Sequence, residues 1–120
     1  MKGLPYHILR FGLAITFLWI GILILQNPEG WSAYIKPWAA ELIPVPLKQA
    51  MISTAILDIA IGAFLLTNIL TGFAALVASL HLAIILVVSG INAITVRDVG
   101  LFASALALLM SSWPFQKRFN

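Results

Sequence analysis

The chain has 120 residues, 62% of them hydrophobic and 9% charged, with a formal net charge of +3 and a mean hydropathy of +1.04. A water-soluble domain of this size is about half apolar, so these polar side chains are too few to cover an aqueous surface, and lipid must solvate most of the molecule. The basic residues (Lys2, Arg10, Lys36, Lys48, Arg97, Lys117 and Arg118) lie mostly at the ends of apolar runs rather than along one stripe, which excludes nucleic acid and fits anchoring at lipid headgroups.

The first apolar run covers about 8–26. It follows Lys2 and resembles a secretory signal, but QNPEGW comes next instead of a small-residue cleavage site, so an uncleaved span is expected. Asn27-Pro28-Glu29 then reads as a cap, a proline and an acid in a first helical turn. Trp31, Tyr34, Ile35, Trp38 and Leu42 recur at helical spacing, which predicts one short interfacial helix over about 28–43, bent at Pro37. Pro44 and Pro46 end it.

Further apolar runs cover about 48–66, 72–91 and 99–113, joined by the uncharged turn TNILTG and by NAITVRD. Each approaches the roughly 20 residues needed for a helix to cross hydrocarbon, although the last is short, and none alternates as a barrel strand would. The expected architecture is all-α: one integral membrane four-helix antiparallel bundle occupying residues 1–120, with the interfacial helix between the first and second spans. Gly12, Gly21 and Gly62 are expected to let neighbouring helices approach, and Gly100, Ser104, Ala107 and Ser111 to form a helix-contact stripe that leaves room for a narrow slot at most. Four crossings put both termini on one side, with Lys2, Arg10, Lys117 and Arg118 against Lys36, Lys48 and Arg97 opposite, which predicts cytoplasmic termini.

Asp58 sits near the centre of an apolar span, where a carboxylate costs roughly 2.5–3.5 kcal/mol on insertion scales unless partnered or protonated. It lies ten residues after Lys48, and His81 lies ten residues before Ile91, so the two share a depth on consecutive antiparallel helices and can meet. Such a pair reads either as a proton-handling or polar-ligand site, or as a polar contact that fixes helix register, with Asp58 protonated or bonded to Thr54, Ser53 or a backbone carbonyl. Arg97 and Asp98 open the fourth span. Asp98 suits an N-cap, and Arg97 can pair with Glu29, Glu41 or Asp98. Arg10 falls in the first turns of the first span, placed either to snorkel or to serve a site, and Trp19 reads as packing. The chain has no cysteine, which excludes a thiolate nucleophile or a cysteine-ligated cluster, and His7 stands far from His81, so no metal site is expected.

RFGLAITFLWIGI, NPEGW, the acid of DIAIGAFLL and VRDVGLFASALAL together resemble the DoxX-like family of small prokaryotic membrane proteins over nearly the whole chain. The Arg97–Asp98 pair with its small, apolar continuation is the most specific of these. In the family a glutamate commonly stands where this chain has Asp58. The resemblance carries over Arg10, Asp58, Arg97 and Asp98, and implies a four-helix bundle of the prokaryotic inner membrane. It also implies association with thiosulfate–quinone oxidoreduction or with oxidative and thiol stress, and transfers no catalytic residue.

Three functions compete on this footing. A redox-system subunit would offer a quinone or sulfur-compound site between helices, with no covalent cofactor, and would work with a soluble or membrane oxidoreductase partner. A non-catalytic scaffold would hold partners through the Trp-rich segment. A proton-coupled transporter would use Asp58, although the first span lacks the acid that small multidrug exporters carry. Self-association into a homo-oligomer is compatible with all three.

Overall fold

The computed structural model describes residues 3–92 and 95–112. Among the described residues six helices follow one another: α1 (Leu4–Gln26), α2 (Pro28–Ser32), α3 (Pro37–Leu42), α4 (Leu47–Thr67), α5 (Thr71–Ser89) and α6 (Val96–Ser112). No strand occurs among the described residues. Helices α1, α4 and α5 are long and apolar enough to cross a membrane. Helix α6, with 17 residues, covers about 25 Å of a hydrocarbon layer about 30 Å thick. Residue 113, the far end of the fourth span expected from sequence, lies outside the described residues, as do Lys117 and Arg118.

The structure is built on two helix pairs. α1 lies along α4 and α5 along α6, while the α4–α5 and α1–α6 seams are slighter. Reciprocal glycines set the first pair: a Cβ on Gly62 would stand 2.6 Å from Leu18 and 2.9 Å from the Ala14 carbonyl oxygen, and one on Gly21 would stand 2.6 Å from Ile59 and 2.9 Å from the Ala55 carbonyl oxygen. Only a missing side chain lets the two backbones approach so closely. Gly12 takes no part in this, since a Cβ there meets nothing within 4 Å. The core joins Leu13, Ala14 and Phe17 of α1 to Ile61 and Leu65 of α4, Ala75, Ala78 and Leu82 of α5, and Ala105 and Leu108 of α6. Outward-facing Ile8, Ile22, Ile56, Leu80 and Val87 form the kind of apolar exterior that lipid covers.

The segment after α1 departs from expectation. Instead of one helix bent at Pro37 there are two short helices, because Pro37 starts α3 at its first position, where its missing N–H costs nothing. Asn27 caps α2 by accepting a hydrogen bond from the Gly30 amide at 3.1 Å. Between the helices, the Lys36 amide donates to the Val88 carbonyl at 2.8 Å and ties the segment to the end of α5. Trp31 and Ile35 turn inward against Ile24, Met51 and Ala55, whereas Trp38 and Leu42 stay exposed.

Asp98 is not the cap of α6. Asn92 and Thr95 cap it together, the Thr95 amide donating to Asn92 Oδ1 at 3.0 Å and the Asn92 amide donating to Thr95 Oγ1 at 2.9 Å. This reciprocal arrangement satisfies amide donors at the helix start and leaves Asp98 within the first turn, its carboxylate unspent. The expected small-residue stripe of α6 also differs. Ala105 and Leu108 make the buried contact, while Ala107 is exposed and Gly100 has open space around it.

Candidate functional site

At the end that carries α2, residues of α1, α4, α5 and α6 surround a cavity of about 830 Å³. Thr16 and Ile20 of α1, Met51, Thr54 and Asp58 of α4, His81 and Ile85 of α5, and Arg97, Asp98 and Leu101 of α6 line it. Trp31, Tyr34 and Ile35 roof it. These roof residues show the helical spacing visible in the sequence, but an aromatic face reads equally as a headgroup contact until the segment is folded back. The volume falls within the roughly 300–1,000 Å³ typical of small-molecule sites.

Asp58 and His81 meet on the cavity wall. Asp58 is 2% exposed, and His81 Nε2 lies 3.0 Å from its Oδ1. The two groups are within ion-pair distance, and both are largely buried. A nitrogen and a carboxylate oxygen therefore stand side by side in the wall. Thr54 and Ser53 are not the partners of Asp58: the Thr54 hydroxyl donates to the Ala50 carbonyl at 3.0 Å, and Ser53 is exposed.

Arg97 and Asp98 face the same cavity from α6. Among the described residues Arg97 forms no ion pair with Glu29, Glu41 or Asp98. Asp98 interacts electrostatically with Asp58 and His81 across the space, as well as with its neighbour Arg97. Two carboxylates, one guanidinium and one imidazole thus share a cavity whose remaining walls are largely apolar. No cluster of three or more histidine, aspartate or glutamate side chains suited to a metal ion occurs among the described residues.

Arg10 belongs elsewhere. It is 5% exposed and points inward instead of snorkelling, its Nη1 donating to the carbonyls of Leu65 at 2.7 Å and Leu66 at 2.9 Å. Its Nη2 lies 3.0 Å from His7 Nδ1. These carbonyls are in the last turn of α4, so the cation caps the negative end of that helix. Leu65 is seven residues past Asp58, about 10 Å along α4. The turn beyond is shaped by Asn68 at φ 57°, whose Oδ1 accepts from Tyr6 at 2.9 Å and from Thr71 at 2.6 Å. Arg10 holds this closed end together, while Asp58, His81, Arg97 and Asp98 gather at the open one. Trp19, expected to pack, is 64% exposed at the edge of the cavity.

No family model matches the chain, and no curated protein or solved structure is significantly similar to it.

Proposed function

We propose that this chain is a small integral membrane protein that binds a quinone-class molecule in the cavity and serves as a subunit or accessory of a redox system. In this reading α1, α4, α5 and α6 cross a prokaryotic inner membrane as an antiparallel bundle, α2 and α3 lie at the far interface, and the termini are cytoplasmic. The observation that carries it is the Asp58–His81 pair, a carboxylate and an imidazole 3.0 Å apart in the wall of a largely apolar cavity. A quinone ring fits apolar walls, and its carbonyl oxygens require donors such as His81 or Arg97. A sulfur oxyanion fits less well, because it would sit between Asp58 and Asp98 with Arg97 as the one fixed cation beside them. The chain has no cysteine, so electrons would come from a partner oxidoreductase, while Asp58 and His81 hold or pass protons at the ring oxygen. The resemblance to the DoxX-like family supports the redox assignment.

The test is saturable binding of decylubiquinone to protein in lipid nanodiscs, read by quenching of tryptophan fluorescence, since Trp19 and Trp31 both line the cavity. Asp58→Asn and His81→Ala are each expected to weaken binding about tenfold, the equivalent of one good hydrogen bond. Affinity unchanged in both variants overturns the reading.

A further inference from the structure

The cavity has a side door. α1 meets α4 through Ala14, Leu18 and Gly21, and helical spacing puts Thr16, Ile20 and Leu23 on the opposite flank, toward α6. Those three residues line the same cavity as Gly100, Leu101 and Ser104 of α6. Beside Gly100 the space is open, for a Cβ there would meet no atom within 4 Å. Leu23 and Gly100 are themselves exposed on the outer surface, beside outward-facing Ile15 and Trp19. At the other end of the seam Leu13 and Leu108 close the two helices into the common core. The gap is thus a slot with a sealed end, mostly apolar, with the Thr16 and Ser104 hydroxyls donated to carbonyls of their own helices, running from the polar wall at Asp58 to the lipid-facing exterior.

We infer that the ligand is a long-chain amphiphile taken up sideways from the bilayer, its head group at Asp58 and His81 and its hydrocarbon chain leaving through the slot between α1 and α6. This rests on the reading of the cavity as a ring-binding site and specifies which members of that class enter it. Polar side chains sit at the inner end, apolar ones continue to a surface that lipid covers, and a chain already dissolved in hydrocarbon crosses that surface without desolvation. A head group arriving from water would instead have to pass the Trp31–Tyr34–Ile35 roof, which the Lys36–Val88 hydrogen bond pins to α5. The chain adds little affinity, because acyl chains and slot walls are equally apolar. What the slot supplies is room.

Two substitutions narrow the slot on α6 away from Asp58 and His81: Gly100→Leu, which enters open space, and Ser104→Leu. Binding of decylubiquinone and of its parent benzoquinone without the alkyl chain is measured in nanodiscs for wild type and both variants, each affinity referred to ligand concentration in the lipid. The parent ring is expected to keep its affinity in both variants, whereas the chain-bearing ligand loses at least about tenfold because its chain has no exit. A ligand carrying a diazirine on the chain is expected to label Trp19, Leu23 or Ser104 in the wild type, a readout independent of the variants. Equal losses for both ligands, or undiminished decyl binding, or labelling confined to the roof residues, overturns the side entry while leaving the ring site standing. Failure of the wild type to bind either ligand removes the ring site and the side entry together.

Discussion

The same substitution, glycine to alanine, should have opposite signs at different points of this fold. At Gly62 the new methyl carbon would lie 2.6 Å from Leu18 Cγ and 2.9 Å from the Ala14 carbonyl oxygen. The leucine can rotate, but the carbonyl belongs to a helix backbone and cannot, so α1 and α4 must part by roughly 0.5 Å to restore an ordinary carbon–oxygen contact. Overpacking of this kind costs about 1–3 kcal/mol, against which alanine returns about 0.8–1.0 kcal/mol of helix preference. The net expectation for Gly62→Ala is a loss of about 0–2 kcal/mol, and Gly21→Ala, facing Ile59 and the Ala55 carbonyl, should behave alike. At Gly12 and Gly100 nothing lies within 4 Å, so only the preference remains and each variant should gain about 0.5–1 kcal/mol. Unfolding of all four variants by denaturing detergent titration in mixed micelles supplies the comparison. Equal effects at Gly12 and Gly62 would refute the close crossing of α1 and α4.

Two other perturbations address the closed end of the bundle. Arg10→Met removes charge-assisted hydrogen bonds to two carbonyls of α4 and should cost about 2–4 kcal/mol in the same assay, with Arg10→Lys recovering part of it. Because Arg10 lies outside the cavity, quinone affinity of the folded Arg10→Lys protein should be unchanged, and a change would connect the two ends. Leu70 holds φ 51° with its side chain exposed, so Leu70→Gly should stabilise by about 0.5–1 kcal/mol, and a loss of stability would show that the left-handed geometry is not what limits this turn.

Long apolar runs are legible because a bilayer constrains length and polarity together, and α1, α4 and α5 follow them to within a few residues at most ends. The meeting of Asp58 with His81 was legible for a simpler reason: equal offsets from the ends of adjacent antiparallel helices fix equal depth. Where several polar groups could do one job, the chain alone does not choose. Asn92, Thr95 and Asp98 are all competent caps, and only the folded turn shows that the first two pair with each other and free the third. Arg10 could snorkel or turn inward, a choice made by carbonyls more than fifty residues away. The cavity was hidden for a related reason. Small residues on α6 suggest close contact, yet Ala105 and Leu108 take the contact and leave Gly100 and Ser104 beside an opening.

The bond from Arg10 to Leu65 joins positions that leave a ribosome at different times. The first helix emerges with only His7 and the Phe11 ring near its guanidinium, and its carbonyl acceptors are not made until the second long helix has been synthesised. During that interval the cation must rest at a headgroup or against the insertion machinery, so α1 cannot settle at its final depth by itself. Biogenesis of this small protein is then a matter of completing the α1–α4 hairpin as one unit, not of committing helices to the membrane in turn.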